Sequence, residues 1–289
     1  MSEFAPAAAA SVVIPAYNEA AVIGRCLSAL RAEGLPLEIV VAANGCSDDT
    51  AALARAVEGV TVLDIPTGSK SGALNAGDDA ARAFPRIYLD ADIELSPGAL
   101  SGLVAALSAD EPRVAAPRVL FDTRDASGWV RAYYRVFEEL PYAGDGLVGL
   151  GVYGVSGPGR SRFERFPRVQ ADDLFIQRLF APEERIRTEG TFTVRVPRKL
   201  GALVAVRTRV ARGNAELATI DAASAQAAAG PRAFAATTGG TGRALATLLA
   251  RHPARLPDVA VYVAVTVVAR LRARRSAGSP TWNRDETTR

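Results

Sequence analysis

Histidine is nearly absent from this 289-residue chain. The single one, His252, stands beside Pro253 late in the sequence, which excludes histidine-based catalytic triads and histidine-rich zinc sites. Cysteine is almost as scarce. Cys26 and Cys46 cannot build a disulfide framework or a four-thiolate metal centre, and a reducing, cytoplasmic setting is expected. Lysine occurs only at Lys70 and Lys199, the other basic residues being arginines. Thirty-four basic against thirty-one acidic residues leave a net charge of +3, too little for a dedicated nucleic-acid binder, so no nucleic-acid partner is expected. The longest apolar run, 259–269 with Thr266 inside it, falls short of the roughly 20 residues that span a bilayer. The N-terminus has no basic stretch ahead of an apolar one, and Ala7 to Ala10 is too short for a signal peptide.

What remains is the balance of a folded protein, 49% apolar and 22% charged. The length suits one large domain or two small ones. Through the first 120 residues short apolar strands alternate with alanine-rich helical stretches. Strands are expected at 11–15, 37–42, 60–65 and 86–90, and helices at 19–32, from Asp48 onward and at 72–83. That alternation implies an α/β fold with a mostly parallel sheet flanked by helices, whose ligands bind beyond the carboxyl ends of the strands. Further on, 129–140 reads as a helix, and 144–159 holds seven glycines and reads as a flexible binding loop. A short helix at 172–180, a strand at 191–196 and a helix at 200–217 broken by Gly213 follow. Small-residue linkers are expected at 221–230 and 237–242, then a basic, apolar piece from 243 to 275 and a polar tail.

Polar residues cluster where the strands end. Pro15-Ala16-Tyr17-Asn18-Glu19 follows the first strand, and Asn44-Gly45-Cys46-Ser47-Asp48 the second. Lys70 lies in a glycine-bounded loop ahead of Asn75, although the spacing is not that of a Walker loop. The sharpest signal is Asp90-Ala91-Asp92, two carboxylates at one strand end. Such a pair repels itself unless a cation joins it, and oxygen ligands of this kind suit Mg²⁺ or Mn²⁺. Downstream, Asp172 and Asp173 open a short helix. Capping accounts for them, and so does service as a general base in a chain without a usable histidine.

These pieces, P-A-Y-N-E, N-G-C-S-D-D-T, K-S-G-A-L-N, L-D-A-D and A-D-D-L-F in that order, resemble family 2 glycosyltransferases of the GT-A fold over residues 10–215. The resemblance implies an inverting, metal-assisted transfer of a sugar, of the hexosyl type, from a nucleoside-diphosphate sugar to an acceptor hydroxyl. It puts Pro15, Ala16, Tyr17 and Glu19 around the nucleotide, with Lys70 and Asn75 beside it. Asp90 and Ala91 fall near the ribose, and Asp92, with Asp90, falls on the metal. Asp173 matches the catalytic base, with Asp172 in place of the family's glutamate. Arg209 and Arg212 match a variant Q/R-x-x-R-W motif on a mobile segment, with Gly213 in place of the tryptophan. Ala43 stands where the family has a base-contacting aspartate, so Asn44 or Asp48 is the expected substitute and uridine the expected base.

The acceptor is unknown: a lipid phosphate, a glycan or a small molecule. Gly157, Arg160 and Arg162 lie between the metal and base motifs and fit either its cleft, where the arginines would suit an anionic acceptor, or a surface loop with solvated arginines. The expected domains are a GT-A domain over 1–220, with a nucleotide-sugar half at 10–120 and an acceptor half at 120–220, then a helical, basic extension over 221–289. Residues 256–275 fit peripheral contact with the inner face of a membrane, a homodimer helix or an ordinary packed helix. A sugar nucleotidyltransferase would need a glycine-rich N-terminal loop that is missing. A catalytically silent GT-A-like module recruiting a lipid or protein partner is the alternative of another class, and intact Asp90, Asp92 and Asp173 favour the enzyme.

Overall fold

The computed structural model describes residues 8–140, 150–169, 171–227 and 240–275. Among the segments singled out above, 144–149, 228–239 and 276–289 lie outside them. The chain forms two compact units. The first comprises Met1–Arg118, Gly149–Arg168 and Phe180–Thr193, the second Val119–Val148, Val169–Leu179 and Val194–Arg289.

The first unit opens with β1 (Ala10–Ala16), α1 (Ile23–Ala32), β2 (Leu37–Asn44), α2 (Thr50–Arg55), β3 (Val60–Ile65), α3 (Lys70–Ala80) and β4 (Arg86–Leu89). Strands β3, β2, β1 and β4 pair in parallel, Val13 opposite both Val40 and Tyr88. Every residue of β1 is buried, as the unbroken apolar run of a doubly covered parallel strand requires. Helix α1 meets the sheet through Ile23, Cys26, Leu27 and Leu30, an i, i+3, i+4, i+7 stripe. Each such aliphatic side chain, fully buried, contributes about 1.5–3 kcal/mol.

The sheet then turns mixed. After β5 (Glu94–Leu95), α4 (Ala99–Leu107) and β6 (Val114–Asp122), strand β7 (Val152–Val155) inserts antiparallel between β4 and β6. With β8 (Arg185–Arg195), antiparallel to β5, the order is β3-β2-β1-β4-β7-β6-β8-β5. Over its described residues, 150–159, this corrects the flexible loop expected at 144–159. Its described part contains a buried strand, in which a Cβ on Gly154 would stand 2.6 Å from Leu107. The glycine serves close packing, not mobility.

A buried ionic cluster ties α3, β4 and the short α6 (Gly157–Arg160) together. Asp78 accepts from Arg86, Arg160 and the Tyr88 hydroxyl, the last at 2.9 Å. Burial, and then Asp78, push that hydroxyl well above its ordinary pKa, so it remains a donor.

The second unit contains α5 (Gly128–Phe137), α7 (Asp172–Arg178), α8 (Leu200–Ala227), α9 (Thr241–Arg251) and α10 (Leu256–Arg275). Its core joins α5, α8, α9 and α10: Val130, Tyr133, Leu203, Leu248, Val259 and Val265 are buried together. Tyr133 stacks on Tyr262 at 5.1 Å, and Arg135 grips Asp258 with two hydrogen bonds of 2.7 and 2.9 Å. Residues from 248 to 265 thus take part in a core shared with α5 and α8. Helix α8 runs through Gly213 without a break and continues to Ala227, which replaces both the expected break and the start of the expected linker. A surrounding run of alanine, arginine and glutamate outweighs the roughly 1 kcal/mol that one glycine costs.

Candidate active site

The carboxyl ends of β1, β2 and β4 bring three of the sequence motifs to one edge of the parallel sheet. Strand β1 extends through Ala16, so Pro15 and Ala16 are strand residues and the turn starts at Tyr17. Asn18 takes φ of 54°, a left-handed conformation that asparagine tolerates, and its side-chain oxygen accepts from the Ser47 backbone at 2.8 Å. Glu19 is 1% exposed and lies beneath the turn, its N–H donating to the Thr50 hydroxyl at 2.6 Å and its carbonyl starting α1. The Tyr17 ring lies 3.7 Å from the place a Cβ on Gly68 would take, covering the loop ahead of α3.

Asn44 and Asp48 are occupied in building this edge. The Asn44 amide donates to the Ala16 carbonyl at 2.9 Å and accepts from the Ser69 backbone at 2.8 Å, knotting the ends of β1 and β2 to the start of α3. Asp48 accepts from the Ala20 and Thr50 backbones at 3.0 and 3.1 Å and from the Thr50 hydroxyl. Gly45, at φ of 64°, lets its loop touch the backbone of Gly68, where a Cβ would come within 2.7 Å. Sequence alone hid that clamp, because each half of it looks like a local capping signal.

At β4 the strand stops at Leu89 and the two carboxylates follow. Asp90 is half-buried and held on two sides. Its backbone donates to the Gly151 carbonyl at 2.7 Å, and the Lys70 ammonium stands 3.2–3.3 Å from both its oxygens. Ala91 is buried and Asp92 is exposed. Gly151, at φ of 109°, backs this turn so closely that a Cβ would lie 2.6 Å from Ile93. It is a site residue missed by the sequence reading, which took its segment as a flexible loop. Cys26, beneath, is pushed up to about 12 by burial and then by Asp92, so its thiol stays protonated.

The other expected residues are placed differently. Asn75 uses both ends of its amide on the Phe166 backbone, at 2.8 and 3.0 Å. Gly157 opens α6, capped by the Ser156 side chain. Arg160 is bound to Asp78 and lies 4.1 Å above the Phe163 ring. Arg162 pairs with both oxygens of Glu184 and lies 4.8 Å above Phe180. Both guanidiniums are engaged inside the first unit, where α6 and the chain after it need them. In the second unit, Asp172 is 4% exposed at the start of α7, while Asp173 is half-buried and accepts from the Leu174 backbone at 2.7 Å. Arg209 and Arg212 sit half-buried in mid α8, on a continuous helix and not on the expected mobile segment.

A cleft of about 320 Å³ in the second unit is lined by Asp122, Arg124, Asp125, Arg195 and Arg198. Arg124 holds Asp122 through two hydrogen bonds of 2.7 and 2.9 Å and draws its carboxyl down to about 2. Arg198 stands 3.6 Å from Asp125. Much of the charge of the cleft is thus met within it.

The sequence profile of glycosyl transferase family 2 matches residues 11–162, just over half of the chain. The chain belongs to this family. Among curated proteins none matches by sequence. Among solved structures, the chain is similar to a mannosyltransferase of Pyrobaculum calidifontis, solved with GDP-Man and Mn²⁺. The TM-score is 0.56 and the identity 20%, over 94% of this chain and 76% of that one. It is also similar to the glucosyl-3-phosphoglycerate synthase of Mycobacterium tuberculosis, solved with Mn²⁺, UDP and glucosyl-3-phosphoglycerate. There the TM-score is 0.51 and the identity 20%, over 71% of this chain and 78% of that one. These likenesses establish the GT-A glycosyltransferase fold.

For a family 2 glycosyltransferase the donor set at β4 is chemically apt. Among the described residues no three His, Cys, Asp or Glu side chains gather to hold a metal by themselves. Asp90 and Asp92 offer a cation one or two carboxylates, which is what Mg²⁺ and Mn²⁺ sites commonly take from a protein before water and phosphates complete the shell. The Lys70 ammonium on Asp90 is itself a cation at this position.

Proposed function

We propose that this chain transfers a hexosyl group from a nucleoside-diphosphate sugar, UDP-sugar being expected, to an acceptor hydroxyl with inversion at the anomeric carbon. The observation that carries the reading is the Asp90-Ala91-Asp92 turn at the end of β4, clasped by Lys70 and backed by Gly151. The mannosyltransferase with GDP-Man and Mn²⁺ and the synthase with UDP and Mn²⁺ support it by likeness of fold.

In this reading the turn after β1 and the loop after β2 receive the nucleotide, with Tyr17 and the backbone of 17–20 as its wall. Asp92 and Asp90 would hold a divalent cation, which when bound supplies positive charge against the leaving diphosphate. Lys70 adds a second positive charge beside the same oxygens. Arg209 and Arg212, three residues apart on one helix, share a face and are suited to grip one anionic group together. Asp173, less buried than Asp172, takes the acceptor proton. As it does, the acceptor oxygen forms its bond to the anomeric carbon and the bond to the diphosphate breaks. The acceptor stays open, because Arg160 and Arg162 have internal partners.

A thermal-shift series with UDP and GDP, each with and without Mn²⁺, tests the donor assignment. A nucleotide at 100 times its dissociation constant stabilises the fold by about 2.7 kcal/mol, which moves a melting temperature visibly. The Asp92→Ala variant should lose the metal-dependent part of that shift. Asp173→Asn should keep donor binding while turnover drops by about 10²–10⁴-fold. Equal donor affinity of Asp92→Ala and the parent, with metal present, would overturn the metal assignment.

A further inference from the structure

Helix α10 presents two apolar faces. One, through Val259, Tyr262, Val265, Ala269 and Ala273, is buried in the core of the second unit. The other carries Leu256, Ala260, Val263, Val267, Val268 and Leu271, all exposed, the five larger ones by 38–61%. No charged residue interrupts 259–269 on either side. At 1.5 Å per residue the exposed stripe from Leu256 to Leu271 runs for about 22 Å. A surface helix of a water-soluble fold would place polar residues there, and an apolar stripe of this length marks an interaction site.

The charges around it define the partner. Arg270 stands in the last turn of the stripe, and Arg272, Arg274 and Arg275 follow it directly, all exposed. Between 240 and 275 stand seven arginines and one acid, Asp258, and that acid is already gripped by Arg135. A second copy of this region would thus bring arginines and almost no carboxylates to meet them. No helix of the described residues is long and apolar enough to cross a membrane.

We infer that α10 docks the protein on an anionic membrane surface, lying in the plane of the interface. The Val263, Val267 and Leu271 side sinks among the acyl chains, and the arginines after it pair with lipid phosphates. The helix is held in that attitude by its other face, because Tyr262 on Tyr133 and Asp258 on Arg135 fix its rotation within the unit. This inference does not depend on the transfer reaction proposed above.

Co-sedimentation of the full chain tests it, using vesicles of phosphatidylcholine alone and of phosphatidylcholine with phosphatidylglycerol in equal parts. The protein is expected to sediment at least tenfold more readily with the anionic vesicles, less so as salt rises. The paired substitution Val263→Asp and Val267→Asp should abolish sedimentation. Arg272→Gln with Arg274→Gln should weaken it by about 25-fold, at about fivefold for each arginine near the surface. Should the aspartates disturb folding, which a melting curve reports, the two exposed arginine positions carry the test alone. Equal sedimentation with both vesicle types would overturn the inference. So would a dimer in light scattering that the aspartate pair dissolves while the parent ignores vesicles, which would assign the face to a second copy.

Discussion

The two units hold themselves together by different physics. In the first, polar groups make the ties: at the edge that carries the candidate site, Asn44 between the ends of β1 and β2 and the start of α3, and Asp48 around Thr50; at the other end of α3, Asp78 between two arginines and a tyrosine. In the second, aromatic and aliphatic faces of four helices do the work, with Tyr133, Phe137 and Tyr262 at the centre and the Arg207 guanidinium 5.0 Å above Phe137. Polar knots are directional, so they fix turns to within a fraction of an ångström, as a site for a charged ligand demands. Apolar packing is less particular about direction and leaves polar side chains for the surface.

The contrast can be broken first at Asp78. Asp78→Ala leaves Arg86 and Arg160 buried without their carboxylate, and breaking a buried pair costs about 3–5 kcal/mol. Urea unfolding should show that loss, while Asp78→Asn, whose single amide oxygen can still accept from one of the two arginines, should lose less. A somewhat smaller effect, about 3 kcal/mol, is expected for Tyr262→Ala, which empties the stack on Tyr133. If Asp78→Ala cost no more than an exposed substitution, the polar knot would be ornament and the two units would be alike. The smallest effect belongs to the Arg135–Asp258 pair, partly exposed and worth about 0.5 kcal/mol after screening. The hydrogen bonds from Arg135 hold the Asp258 carboxyl below the usual range. Its contribution is therefore present above the unfolded carboxylate value and is lost as pH falls through the folded one. Arg135→Met should be less stable than the parent at neutral pH, and the two stability curves should converge in acid.

Much of the first unit was legible from residue order. Parallel strands buried on both faces, such as β1, appear as continuous apolar runs, and the more exposed edge strand β3 also begins and ends where the pattern says. The Asp90–Asp92 pair needed only the strand before it to be placed. Three things were not legible. Strand β7 is written in glycines, and nothing local says whether a glycine is there for motion or for the side chain of Leu107 to fit against it. The arginines of 160 and 162 look free until Asp78 and Glu184, 82 and 22 residues away, are brought to them by the fold. The second unit is assembled from three separated segments, and the pairing of α5 with α10 is a property of the whole chain, not of any window of it.

The ammonium of Lys70 on Asp90 also bears on how fast an anion can arrive. Two bare carboxylates at the mouth of a site would repel a diphosphate at a distance of about a Debye length, 8 Å at physiological salt. With Lys70 in place, the local charge of Lys70, Asp90 and Asp92 sums to one negative instead of two. At the proposed donor site, a doubly or triply charged nucleotide would begin its encounter against half the field it would otherwise face.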